Sequence, residues 1–209
     1  MFETLKGRIP KSIDEDEYRK FAVMVALLKQ EDGLQVVFEK RAGGLKRQPG
    51  EICLPGGARD GNESSEDNAI RETMEELEIS REQIHMITQM DTLYTAYDNK
   101  VSVYLCELRD YDMTYNADEV AEIFTVPLKF FMETEPEAYT NTVRLMPPED
   151  FPFDQVPGGR NYHWRDGYKK VYFYYKDWII WGLTAYVLRG VVRTLKTELP
   201  APDCENLVV

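Results

Sequence analysis

Glu72, Glu75 and Glu76 stand at i, i+3 and i+4 in the run Asn-Ala-Ile-Arg-Glu-Thr-Met-Glu-Glu-Leu that ends at Leu77. The spacing predicts a helix over residues 65 to 77 with all three carboxylates on one face. Three like charges so arranged repel one another, and an isolated helix gains nothing from them. A hard divalent cation among the carboxylate oxygens reverses that balance. Mg²⁺ suits such a site because it takes oxygen ligands, keeps several waters and shares its coordination sphere with phosphates. A solvated acidic face is the alternative that a charge run alone leaves open.

The elements around the triplet argue for more than a surface. Ile70, Met74 and Leu77 form an apolar stripe at helical spacing, so the opposite face docks on a core. Ser64 or Ser65 can cap the helix, and Glu66 and Asp67 lie in the first turn, where the helix dipole favours anions. Arg71 is placed to pair with Glu75 four residues on, or to reach back to Glu63 and brace the preceding loop.

Immediately upstream, residues 41 to 57 gather Arg41, Lys46 and Arg47 among glycines 43, 44 and 50. Arginines near a metal site grip phosphate oxygens bidentately, and glycines let backbone approach a ligand closely. A flexible basic loop would carry the same composition.

From Gly57 to Ile79 the chain resembles the signature of the Nudix hydrolases. Gly57 is followed after five residues by Glu63, after seven more by Arg71-Glu72, and then by Glu75-Glu76 and Ile79. One position departs: Glu78 stands where the pattern has the glycine that ends the helix at positive φ, at an expected cost of roughly 1 kcal/mol. The upstream segment is similar to the coenzyme A diphosphatase branch of that family, through Arg41-Ala42, Lys46, Gly50 and Leu54-Pro55-Gly56-Gly57. It departs from that branch at Val37-Phe38, Glu39, Lys46 and Leu54, with Arg47 adjacent to stand in for the missing arginine.

The resemblance implies an α/β/α sandwich around a mixed sheet. It implies Mg²⁺ or Mn²⁺ held by Glu72, Glu75 and Glu76 with the Gly57 carbonyl, and Arg71 and Glu63 completing the catalytic set. Arg41, Lys46, Arg47 and Gly56 would bind substrate, and Glu119 or Glu122 would supply an extra carboxylate. The implied substrate is a small nucleotide, coenzyme A or its acyl form; ADP-ribose, NADH or another nucleotide derivative is the alternative. A non-catalytic sensor of this family is expected to lose metal-site glutamates, and this chain keeps them. A homodimer is the implied assembly, with its interface sought in the aromatic stretch 133–175.

The remaining chain positions these groups. Phe21–Lys29 and Leu34–Arg41 read as a strand hairpin across the Glu31-Asp32-Gly33 turn, and Ile84–Leu93 and Val101–Leu108 as two further strands. The polar aromatic loop 94–100 reads as a hairpin tip. The segment 115–127 resembles the one after which Nudix folds enter a last strand and helix. Residues 133–170 are rich in proline and aromatics and read as an elaborated loop, with His163 and Trp164 as packing groups. Val171–Tyr175 reads as a last strand, and Asp177–Lys196 as an amphipathic helix with Trp178 and Trp181 on its apolar face. The domain reading is an arm over 1–20, one domain over 21–199 and a tail over 200–209.

A net charge of −12 and a pI near 4.7 disfavour nonspecific nucleic-acid or anionic-membrane binding. They also require local cations to hold an anionic phosphate substrate. Cys53, Cys106 and Cys204 are scattered with no CxxC pair, which suits reduced thiols and a cytoplasmic setting.

Overall fold

The structure, a computed structural model, describes residues 6, 7, 9, 13, 15–175 and 177–200. Its spine is β1 (Arg19–Gln30), whose nearly unbroken apolar run buries both faces. Gly33, at positive φ, turns the chain into β2 (Gly33–Arg41). The parallel partner of β1 on its other side is β7 (Asn99–Leu108). Short strands β3 (Ile52–Cys53), β4 (Gly56–Ala58), β5 (Ile84–Gln89) and β6 (Leu93–Tyr94), with β8 (Val120–Pro127), complete an eight-stranded mixed sheet.

The feature that makes room for a site is a divergence of strands. The β1–β2 pairing covers only Leu27–Gln30 against Gly33–Val36. Towards the start of β1 it is β4 that pairs there, Phe21 opposite Ala58 and Val23 opposite Gly56. The Pro55 carbonyl accepts the Met24 N–H at 2.8 Å where the two regimes meet. The strands therefore splay around the Gly56–Gly57 turn.

Alternation of side chains divides the core into two layers. Ala22, Met24, Ala26 and Leu28 face α1 (Ser65–Leu77), which contributes Ala69, Ile70 and Leu77. Val25 and Leu27 face the opposite layer, with Val103 and Leu105 beside them and α2 (Leu128–Glu133) and α3 (Gly182–Glu198) above. A helix on one face and two on the other give the α/β/α sandwich expected. Among the described residues, no helix is long and apolar enough to cross a membrane.

Three expectations are corrected. The stretch 84–93 is not one strand: it breaks after Gln89, and the chain resumes pairing only at Leu93–Tyr94. The excursion is more than a loop, because its first part, β9 (Glu137–Val143), pairs with β10 (Gly167–Tyr175) and β11 (Ile179–Trp181) in a separate three-stranded sheet. The last helix begins at Gly182 rather than Asp177. Trp178 instead stacks on Phe124 with ring centroids 4.6 Å apart, and Ile179–Trp181 pair with Phe173–Tyr175, so strand pairing overrides the helical pattern there. Trp164 packs edge-on against Phe151 and Tyr162, the packing role expected of it. The first strand begins at Arg19, and residues 201–209, with Cys204, lie outside the described residues.

Candidate active site

Ser64 is the residue that caps α1, its hydroxyl accepting the Asp67 N–H at 3.0 Å, while Ser65 hydrogen-bonds the Tyr104 hydroxyl at 2.7 Å. At the other end, Glu78 takes the left-handed conformation, φ 52° and ψ 46°. The helix exit that glycine provides in the family pattern is thus kept, with a residue that bears its strain.

Arg71 is the hub of the acidic face. Its guanidinium donates to both Glu63 oxygens at 2.9 and 3.2 Å, to Glu75 at 3.0 Å and to the Asn68 side-chain oxygen at 3.0 Å, and lies 2.9 Å from Glu72. Glu63 also accepts the Asp60 N–H at 2.8 Å, which closes the loop onto the helix. The arginine therefore both reaches back and pairs forward, and it holds Glu63 below the usual carboxylate range. Arg71 itself is raised, chiefly by its hydrogen bonds to Glu63.

The three glutamates differ in environment. Glu75 is exposed at the helix surface. Glu72 is partly buried, and burial raises it despite Arg71 alongside. Glu76 is buried, accepts the Gly56 N–H at 2.7 Å and is pushed up to about 8, mainly by burial. Two backbone positions are shaped around them. A β-carbon on Gly57 would strike the Glu72 carboxylate, and one on Gly56 (φ 142°) would strike the Ala22 carbonyl. The Gly57 carbonyl accepts from the Asn68 amide at 3.3 Å.

The donor set, carboxylate oxygens and one carbonyl, is of the kind a hard divalent cation takes. The Glu72 carboxylate packs directly against Gly57, in the space a side chain there would take, which sets a carboxylate beside the Gly57 backbone. In the arrangement described, Glu72 and Glu75 are shared with Arg71, and no three acidic, histidine or cysteine side chains among the described residues converge into a closed cage.

On the far side of the Gly56–Gly57 turn lies a cavity of about 790 Å³ roofed by the start of α3. Arg41, Arg47 and Gly56 line it; Lys46 does not and is exposed on the loop. Arg41 also donates to the Arg47 carbonyl at 3.4 Å, tying the two arginines together. Of the extra carboxylates, Glu119 lies close enough to raise Glu39, Glu72 and Glu76 by repulsion. Glu122 instead faces a separate cleft with Lys40 and Trp178. The chain just before Glu119 is tied to α1 by the Asn116 N–H, which donates to the Glu76 carbonyl at 2.9 Å.

Several site residues are missed by sequence reasoning. Asn68 is buried and braces both Gly57 and Arg71. Glu39, 1% exposed, sits on β2 with one oxygen 3.8 Å from the Cys53 thiol and the other without a hydrogen-bond partner. Burial first, then Glu76, pushes Glu39 well above the usual carboxylate range, and burial raises the Cys53 thiol as well. A carboxylate directly after the apolar run Val36–Phe38, at a position where the coenzyme A branch has threonine, is the signal that could have found Glu39.

Comparison with known proteins bears on this arrangement. The NUDIX domain profile matches residues 18–165. The chain is 33% identical over 146 residues to peroxisomal coenzyme A diphosphatase NUDT7 of Mus musculus, covering 66% of this chain and 61% of that protein. It is 27% identical over 204 residues to Nudix hydrolase 15, mitochondrial, of Arabidopsis thaliana, covering 92% of this chain and 65% of that one. It thus spans less than two thirds of the length of both relatives. A MutT/nudix family protein from Enterococcus faecalis shares the fold, with a TM-score of 0.53 at 18% identity over 98% of this chain and 71% of that chain. Since the matched span holds the carboxylate helix, the Arg71 hub and the Gly56–Gly57 turn, this chain belongs to the Nudix family.

Proposed function

We propose that this chain is a Mg²⁺- or Mn²⁺-dependent diphosphatase. It adds water across the phosphoanhydride of coenzyme A or acyl-coenzyme A, releasing (acyl-)phosphopantetheine and adenosine 3′,5′-bisphosphate. The observation that carries this reading is the turn at Gly56–Gly57, which joins the carboxylate helix on one face to an arginine-lined cavity on the other. Similarity to a coenzyme A diphosphatase supports the substrate class.

Glu72, Glu75 and Glu76, with the Gly57 carbonyl, would hold the ion. When bound, it neutralises diphosphate charge and acidifies a water. Arg71 holds Glu72 and Glu75 and Glu63 keeps the guanidinium in place, so both carboxylates would be at hand to ligate an ion. Glu76 must give up its proton before it can ligate, so metal affinity rises with pH up to about 8. Of Glu119 and Glu122, it is Glu119 whose charge reaches Glu76, which supports it as the carboxylate that takes the proton from the attacking water. Arg41 and Arg47 hold the nucleotide-side phosphates, the 3′-phosphate included. Residues 21–199 act as one domain, and a homodimer formed through the exposed β9 face of the small sheet is the assembly we propose.

Turnover of coenzyme A, dephospho-coenzyme A, NADH and ADP-ribose with Mg²⁺ or Mn²⁺ tests the reading. Preference for coenzyme A supports it, and a clear preference for ADP-ribose assigns the chain to another nucleotide derivative.

A further inference from the structure

At the β1–β7 end of the cavity, three side chains that no part of the reaction uses come together. The parallel register sets Arg19 beside Asn99 and Phe21 beside Val101. Strand alternation sends residues 19, 21 and 23 of β1 and residues 99 and 101 of β7 to the face covered by α3, and all five line the cavity. The Arg19 guanidinium lies 5.4 Å from the centre of the Phe21 ring. The side-chain oxygen of Asn99 is buried and has no hydrogen-bond partner among the described residues. A buried acceptor left unpaired costs free energy that a ligand N–H would recover.

We infer that Arg19, Phe21 and Asn99 form a subsite for an adenine base, with the Asn99 oxygen accepting from the exocyclic amine and the base lying against the arginine–phenylalanine pair. A guanidinium stacked over an aromatic ring presents a planar surface on which a heteroaromatic ring can lie. A carboxamide at its edge matches the donor–acceptor pattern of adenine. The pantetheine arm carries amides but no π-face, so the platform favours the base. Phe21 pairs with Ala58 and Val23 with Gly56, so the subsite lies one strand from the carboxylate turn, within reach of a nucleotide held there.

This inference rests on the proposed nucleotide diphosphatase reading but not on coenzyme A itself. The test is equilibrium binding of adenosine 3′,5′-bisphosphate and its inosine counterpart, in which a carbonyl replaces the amine. The wild-type protein prefers the adenosine form, by about tenfold for one recovered buried hydrogen bond. Asn99→Leu, which removes the acceptor at similar volume, brings the ratio near one. Asn99→Asp, which can only accept, raises the ratio even as its charge weakens both. Equal binding of the two nucleotides by wild type overturns the subsite. So does Asn99→Leu weakening both equally, or weakening phosphopantetheine instead. ADP-ribose and its hypoxanthine counterpart give the same ratio independently: if the preference holds there while coenzyme A is not turned over, the subsite stands and the substrate reading falls.

Discussion

Replacing Glu76 by Gln separates what the carboxylate does for stability from what it does for metal. In the metal-free protein Glu76 is buried and titrates at about 8 instead of 4.5. A raised carboxylate keeps its full contribution to stability below the unfolded value, and loses it as pH climbs through the folded one. Wild type in EDTA therefore weakens between about pH 4.5 and pH 8 more steeply than Glu76→Gln, which keeps the raised Glu39 and Glu72 but not this titration. The glutamine oxygen can still accept the Gly56 N–H now received at 2.7 Å, so little else changes. At ~1.36 kcal/mol per pH unit, the variant becomes the more stable protein at pH 7 by up to about 3 kcal/mol, roughly 6–12 °C in Tm. Saturating Mn²⁺ reverses the order, because about 100-fold excess over Kd stabilises wild type by ~2.7 kcal/mol and a chain lacking one ligand far less. Thermal melts of both proteins at pH 4.5 and pH 7, with EDTA and with Mn²⁺, read all four states. A variant less stable than wild type in EDTA at pH 7, or one with an equal Mn²⁺ shift, refutes the assignment. Turnover should fall by roughly two or more orders of magnitude, as expected when a transition-state charge partner is removed.

Other substitutions probe neighbouring groups. Gly57→Ala displaces the Glu72 carboxylate, the flexible end of a side chain, so it should weaken Mn²⁺ binding by about tenfold or more while shifting Tm little. Glu39→Gln should raise the urea midpoint by a margin that grows as pH climbs above the usual carboxylate range, since burial raises this group; a difference independent of pH contradicts it. Arg47→Ala should raise KM for coenzyme A more than for its dephospho form, by about fivefold or less for an exposed charge, and Lys46→Ala should leave both nearly unchanged.

The carboxylate face, its cap, its apolar back and the Arg71 partners were legible along the chain because they all belong to one helix and its entry loop. Within such a segment, spacing along the chain converts directly into spacing in space. Glu78 shows the reverse: the missing glycine suggested a different helix exit, yet the chain keeps the left-handed one at φ 52°. The separation of Arg47 from Lys46, and of Glu119 from Glu122, had no such local signature. Neighbours in a loop or strand face opposite ways only once the sheet is laid down.

The misread final helix shows the limit from the other side. Trp178 and Trp181 suit the apolar face of a helix as well as they suit a strand, and pairing with β10 decided between them. What the amino-acid order determined by itself is the make-up of one face: three carboxylates on one side of a helix and an arginine to hold them. What only the tertiary structure decided is what that face confronts. The divergence of β2 from β1, the burial of Glu39 and Asn68 and the cavity ending at Asn99 arise from contacts between residues far apart in sequence, whose meeting no local spacing encodes.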